Sequence, residues 1–135
     1  MVVSLVGVYD MLRNELTTNG QFNVPEYGSV TVEKQFRALY AYSPYHHVAP
    51  DTRYPAVLLA AGANDPRVNP MNSRKFAARL QAASTSGEPV LLRVDYSGGH
   101  GVDASLDQRI SLTAHIDAFL MDELGMLGDE PEAGR

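Results

Sequence analysis

The chain has 135 residues, 44% of them hydrophobic, and a net charge of −5 at pH 7. Its length suits one folded core or part of one, and its acidic balance argues against nucleic-acid binding, which needs a basic face to neutralise phosphates. The absence of cysteine excludes disulfides and thiolate zinc sites, and no apolar run reaches the roughly 18 residues that a membrane span requires. We therefore expect a soluble protein without a membrane partner, with the cytoplasm slightly favoured.

Strand and helix signals alternate along the chain. Three short apolar runs, at residues 2–8, 54–61 and 90–96, predict buried β-strands. Helices are predicted at 33–42 and from about residues 70 and 105, the last two with apolar side chains on one face. The residues that mark helix boundaries are Pro44, Asn69, Pro70, Gly87, Ser105, Gln108 and Gly125.

The alternation predicts an α/β fold with a parallel sheet. Residues 1–127 are expected to form one partial domain, and residues 128–135 a frayed polar tail.

Asp65 and His100 each come soon after a predicted strand, Asp65 in the turn GANDPRV at 62–68 and His100 in SGGHG at 97–101. Parallel strands joined by one helix bring their carboxyl ends to the same edge of the sheet, about 4.8 Å apart if they are neighbours. A carboxylate there can accept the histidine Nδ1–H and stabilise the imidazolium that forms when Nε2 takes a proton from a serine. These two residues are candidate acid and base of a hydrolytic triad.

The serine of such a triad is not found in these 135 residues, because no Gly-x-Ser-x-Gly turn occurs. The α/β-hydrolase order is serine, acid, histidine, so the nucleophile is expected upstream of Val2. Ser97 lies near His100 in sequence, but so short a tether disfavours triad geometry. The alternative is that Asp65 only caps a turn and that His100 is a structural or solvated loop residue.

Other polar residues give weaker signals. The adjacent pair His46 and His47 has no further ligand at metal-binding spacing, so we expect no metal site and no cofactor. His115 is expected at the surface or rim of the last helix. Asp10 is expected to serve in a turn or as a helix cap.

Several stretches together resemble one known family: VGVYDMLR at 6–13, PEYG at 25–28, YSPY at 42–45, GANDPRVNP at 62–70, residues 73–81, and GHG at 99–101. In this order they resemble the prolyl oligopeptidase family of serine peptidases over nearly the whole chain. The resemblance implies the C-terminal part of an α/β-hydrolase catalytic domain, with about three parallel strands and flanking helices. It implies Asp65 as triad acid, His100 as general base, an oligopeptide substrate, and the missing N-terminal half of the domain as a partner.

The resemblance also implies substrate contacts. Arg67 matches the family arginine that holds a substrate carbonyl near the scissile bond, and an Arg–Asp ion pair is the alternative. Val8 and Val68 match apolar positions of the pocket for the residue before the cleaved bond, with core packing as the alternative. Prolyl-specific members carry a tryptophan where this chain has Asn23, which puts strict cleavage after proline in question; Phe22 is a possible substitute platform.

Three functions are open at this stage. The first is a fragment of a serine peptidase that is inactive alone, since a base without a nucleophile has nothing to activate. The second is a non-catalytic assembly module or remnant that complements a separate N-terminal half, because an exposed edge strand at residues 2–8 invites association. The third is an esterase or acyl hydrolase of the same fold, since a triad does not set its leaving group.

Overall fold

The computed structural model describes residues 1–101 and 104–127. Its centre is a parallel sheet of three strands in the order β1-β2-β3, which are Val2–Leu5, Val57–Gly62 and Val90–Asp95. Val57 of the central strand lies opposite Val2 on one side and Val90 on the other. The predicted α/β fold with three parallel strands is confirmed, while the tail predicted at 128–135 lies outside the described residues.

Within the described residues, the sheet is accompanied by five α-helices: α1 Met11–Asn14, α2 Val24–Tyr27, α3 Glu33–Tyr42, α4 Met71–Ala83 and α5 Leu106–Glu123. Two 3₁₀ turns, Gly20–Asn23 and Pro44–His47, lie in the long connection between β1 and β2. None of the helices in the described ranges is long and apolar enough to cross a membrane.

The sheet core has two sides, because every residue of the central strand is buried. Leu59 packs with Ala77 and Leu80 of α4 on one face. Leu58 packs with Phe119 of α5 on the other. Since successive side chains of a strand point to opposite faces, this two-sided cover explains why β2 is a continuous apolar run.

Several predicted boundaries need correction. The second strand is Val57–Gly62 rather than 54–61, and the N-cap of α4 is Pro70 rather than Asn69. The first strand ends at Leu5, not at Val8, because Val6 adopts a φ of 46° and leaves the extended conformation. Helix α4 ends at Ala83 with Ser84 as its C-cap, so Gly87 does not follow the helix end directly. Gly87 instead takes a φ of 85° in the turn that leads to β3, a conformation that glycine adopts easily.

The limits of α5 agree with the prediction. Ser105 Oγ accepts from the Gln108 amide at 3.2 Å, and Gln108 Oε1 accepts from the Ser105 amide at 2.8 Å. Gly125, with a φ of 66°, follows the C-cap Leu124. The capping box therefore fixes the start of the helix that follows the His100 loop.

Candidate active site

Asp65 and His100 meet at the carboxyl edge of the sheet. His100 Nδ1 donates to Asp65 Oδ2 at 2.7 Å. The other carboxylate oxygen, Oδ1, accepts from the backbone amides of Arg67 at 2.8 Å and Val68 at 2.9 Å. The Asp65 side chain is 1% exposed and the His100 side chain 23%. Both oxygens of the buried carboxylate are therefore bonded, which fixes its orientation towards the imidazole.

The two loops continue the pairing of β2 with β3 beyond the ends of the strands. The Ala63 amide donates to the Asp95 carbonyl at 2.8 Å, and the Asn64 amide donates to the Gly98 carbonyl at 3.0 Å. A Cβ atom on Gly62 would lie 2.1 Å from the Gly99 carbonyl oxygen, so this approach requires glycine. Backbone contacts thus set the separation of the acid and base loops.

The other side of the His100 loop is bonded to the start of α5. Ser97 Oγ donates to Asp95 Oδ1 at 2.9 Å and accepts from Gln108 Nε2 at 3.1 Å. The Ser97 hydroxyl, together with backbone amides, lowers the pKa of Asp95 below its usual range. The Ser97 hydroxyl thus bonds to Asp95 and Gln108, and no bond from it to His100 occurs among the described residues.

Two cavities border His100. One, of about 520 Å³, is lined by Arg67, Asn64 and Gln108 together with residues of the His100 loop. The other, of about 490 Å³, is mostly apolar and lies between the end of β1 at Leu5 and the first turns of α5. Both cavities therefore reach His100, whose side chain is 23% exposed.

The sequence-predicted substrate residues fall into two groups. Arg67 and Val68 follow Asp65 directly, and Arg67 is exposed beside His100 in the larger cavity. Among the residues that the structure describes, the Arg67 guanidinium forms no ion pair. The Arg–Asp ion pair given as the alternative is therefore not seen within them. Val8 and Asn23 are half-buried, and neither is among the described residues that line the two cavities. Asn23 lines a small cleft with Tyr27 and Leu39 instead.

Sequence reasoning missed three side chains that bind these loops. The Asn19 side chain donates to the Pro66 carbonyl, which ties the connection before Gly20–Asn23 to the Asp65 turn. Asn64 Nδ2 donates to the Tyr96 carbonyl at 3.0 Å. The third is Gln108, whose capping role was visible in the sequence but whose bond to Ser97 was not.

His46 and His47 form hydrogen bonds with residues a few positions earlier in the chain. His46 Nδ1 lies 2.8 Å from Ser43 Oγ, and His47 Nε2 lies 2.8 Å from the Tyr40 carbonyl. Within the described ranges no group of three or more His, Asp or Glu side chains is placed to hold a metal ion. Desolvation lowers the pKa of His46.

The expectations for Asp10 and His115 are confirmed. Asp10 Oδ1 accepts from the Arg13 amide at 3.1 Å and so caps α1, and its other oxygen pairs with Lys75. His115 is exposed on α5, where its Nδ1 accepts from Arg93 Nε at 3.1 Å.

Known proteins share both the sequence and the fold. The chain is 38% identical over 122 residues to a prolyl endopeptidase of Elizabethkingia miricola and 38% identical over 126 residues to a dual function macrocyclase-peptidase of Amanita bisporigera. These matches cover 90% and 92% of the chain but only 17% of each relative. The chain thus spans about a sixth of the length of these relatives.

Solved structures agree. A prolyl endopeptidase structure superposes with a TM-score of 0.86 at 39% identity, covering 92% of this chain and 18% of that one. Prolyl oligopeptidase B from Galerina marginata, bound to a 35-residue hydrolysis and macrocyclization substrate, gives a TM-score of 0.83 at 34% identity, with 92% of this chain and 18% of that chain covered. Oligopeptidase B from Leishmania major, at 23% identity and a TM-score of 0.84 over 92% of this chain and 18% of that one, shares the fold.

The sequence profile described as the prolyl oligopeptidase family matches residues 1–127. The chain therefore belongs to the prolyl oligopeptidase family of serine peptidases.

Proposed function

We propose that Asp65 and His100 are the acid and base of a Ser-His-Asp peptidase site whose serine comes from residues outside these 135. The observation that carries the proposal is the 2.7 Å bond from His100 Nδ1 to a carboxylate that is itself buried. An aspartate so placed holds the neutral imidazole in the tautomer that leaves Nε2 free to accept a proton. The same carboxylate stabilises the imidazolium once the proton has moved.

In this proposal His100 carries out the proton transfers, and the nucleophile comes from outside the chain. His100 Nε2 takes the proton of the serine hydroxyl as it attacks the peptide carbonyl, and returns a proton to the leaving amine. Asp65 holds the ring through Oδ2, while the two backbone amides that donate to Oδ1 fix the orientation of the carboxylate. Without a nucleophile the chain alone is expected to be inactive.

The substrate in this proposal is an oligopeptide. Arg67 is exposed in the cavity that His100 borders, where its guanidinium can donate to a peptide carbonyl. Val68 would supply apolar contact beside it. Val8 and Asn23 would contact the peptide only in a pocket completed by further residues, since neither lines the two cavities. With Asn23 in place of an aromatic ring, we expect cleavage without a strict requirement for proline.

The proposal can be tested with a chimera. Residues 1–127 of this chain would replace the matching segment of the Elizabethkingia miricola prolyl endopeptidase. The two chains are 38% identical over 122 aligned residues. We expect the chimera to hydrolyse peptides and to react with a serine-directed phosphonate, and the isolated 135-residue chain to do neither. His100→Ala in the chimera should abolish hydrolysis, with His115→Ala as the matched control on an exposed histidine.

Two outcomes would refute the proposal. One is a phosphonate adduct on any serine of the isolated chain. The other is a folded chimera in which His100→Ala hydrolyses peptides as fast as the parent. Comparing peptide and ester substrates on the same chimera tests the acyl-hydrolase alternative, which predicts ester hydrolysis without measurable peptide hydrolysis.

A second candidate function is assembly with a separately made N-terminal half, and the open edge of β1 favours it. The amides of Val2 and Val6 donate to the carbonyls of Ala56, just before β2, and Ala60. In a parallel pair alternate residues bond to a given neighbour, so Val3 and Leu5 direct their backbone groups to the free edge. Val2 and Leu5 are 45% and 44% exposed. Such an edge is a template for another strand.

Proline substitutions test the outward and the inward amides of β1 separately. Leu5→Pro removes an outward amide and should prevent association with an N-terminal half of the relative, while the fold of the chain is retained. Ser4→Pro removes an inward amide and should destabilise the sheet itself. Pull-down and circular dichroism report the two effects. A Leu5→Pro chain that associates as well as wild type would contradict this second function.

A further inference from the structure

The loop that carries His100 is bonded on both sides by side chains that have no part in the proposed chemistry. Asn64 Nδ2 donates to the Tyr96 carbonyl at 3.0 Å. Gln108 Nε2 donates to Ser97 Oγ at 3.1 Å. Only two glycines separate these anchored residues from His100, and glycine is the residue with the greatest backbone freedom.

The two bonds come from different parts of the fold. Asn64 precedes Asp65 in the turn that carries the acid, so its bond couples the acid loop to the base loop. Gln108 lies in the first turn of α5, where its Oε1 accepts from the Ser105 amide at 2.8 Å. Its amide nitrogen remains available for Ser97, which in turn donates to Asp95 at the end of β3. The His100 loop is thereby joined to a strand, a helix and the acid turn.

His100 lies between glycines, so the backbone beside it has few steric limits of its own. Its side chain is 23% exposed and borders two cavities, and Gly101, directly after it, has a φ of 93°. The bonds at Tyr96 and Ser97 therefore limit how far the loop can move relative to Asp65.

We propose that Asn64 and Gln108 are positioning residues that hold His100 in line with Asp65. The catalytic consequence rests on the proposed function, but the structural effect can be measured without any catalysis. It concerns which ring nitrogen of His100 carries the proton, because the hydrogen bond to Asp65 selects the Nδ1–H form.

The test is ¹⁵N NMR of the imidazole nitrogens in the 135-residue chain at alkaline pH. Asp65→Ala sets the end point, in which the neutral ring distributes its proton over both nitrogens. Asn64→Ala and Gln108→Glu should shift His100 from the Nδ1–H form towards that end point. Gln108→Glu keeps an acceptor for the Ser105 amide and so keeps the cap, but it has no N–H to donate to Ser97.

Two further variants complete the design. Ser97→Ala removes the acceptor of the Gln108 bond without touching α5, and it serves if a substitution on the helix unfolds the chain. Gln81→Ala removes a bond of the same kind, from Gln81 Nε2 to the Val90 carbonyl at 2.8 Å, and should leave His100 unchanged. In the chimera, Asn64→Ala and Gln108→Glu should lower kcat roughly 10- to 100-fold at an unchanged KM.

The outcomes are distinguishable. Unchanged His100 nitrogens in Asn64→Ala, Gln108→Glu and Ser97→Ala, with a shift in Asp65→Ala, overturn the positioning role and leave the proposed function intact. Unchanged nitrogens in Asp65→Ala as well mean that the acid–base pair does not form in solution. Both proposals then fail.

Discussion

Gly62 lies so close to Gly99 that a Cβ atom on Gly62 would come within 2.1 Å of the Gly99 carbonyl oxygen. The neighbouring Gly98 carbonyl oxygen would be 2.6 Å away. Both are backbone atoms that cannot rotate aside as a side chain can. The missing side chain at residue 62 therefore lets the loop of Asp65 pack against the loop of His100.

We expect Gly62→Ala to lower the free energy of unfolding by at least about 1–3 kcal/mol, the usual cost of overpacking. Gly99→Ala is the matched control, since its Cβ would meet its nearest atoms at 3.8 and 4.0 Å, an ordinary contact distance. It should stay within about 0.5 kcal/mol of wild type. Urea denaturation measures both, and equal losses in the two variants would contradict the close-packing explanation.

Asp65→Asn should reduce kcat of the chimera by roughly 10⁴-fold, as in other Ser-His-Asp sites. An amide oxygen can still accept from the Arg67 and Val68 amides, but the amide side chain does not enforce the required imidazole tautomer or stabilise the imidazolium. Steady-state peptide hydrolysis measures the loss. Asp51→Asn, at an exposed position with a φ of 54° that asparagine tolerates, should leave kcat unchanged. Near-parental activity of Asp65→Asn would exclude Asp65 as the triad acid.

Asn72→Ala tests the buried link between helix α4 and the segment that joins β1 to α1. Asn72 is fully buried, and its Oδ1 accepts from the amides of Tyr9 at 3.0 Å and Asp10 at 2.9 Å. Each of the two orphaned amides costs roughly 1–3 kcal/mol, so we expect a loss of about 2–6 kcal/mol in urea denaturation. Gln81→Ala, which removes one bond at an exposed residue, should cost less than about 1.5 kcal/mol. Similar losses of stability in the two variants would show that the bonds to Asn72 contribute no more than the single Gln81 bond.

The lowered pKa of His46 predicts that the free energy of unfolding depends on pH. Burial lowers the pKa of its imidazole below the usual 6.5, an effect that Asp10 opposes and Lys75, Arg79 and His47 reinforce. The unfolded chain then binds a proton more readily than the folded chain, so the contribution of His46 is complete above about pH 6.5 and is lost as the pH falls towards the lower folded value.

The corresponding measurement is urea denaturation between about pH 8 and pH 5, a range that spans the ordinary histidine pKa. His46→Asn retains an acceptor for Ser43 Oγ and should lose less stability on acidification than wild type. His47→Gln, at an exposed position, should follow the wild-type curve. A His46→Asn curve parallel to wild type would show that another group causes the dependence.

The local elements were predictable where neighbouring residues encode them. The helix at 33–42 and the start of α5 at Ser105 and Gln108 were predicted correctly, because periodicity and capping chemistry are short-range signals. The end of β1 was not, since the positive φ of Val6 has no local signature in a run of valines.

The candidate site was likewise predictable in part. The sequence by itself determined that Asp65 and His100 follow two strands linked by a helix, and parallel topology then requires a common edge. Only the tertiary structure decided the 2.7 Å bond between them and the contacts of Asn64, Asn72 and Gln108. Those contacts join residues from 11 to 63 positions apart. They depend on strand register, loop packing and side-chain direction, which no short stretch of sequence specifies.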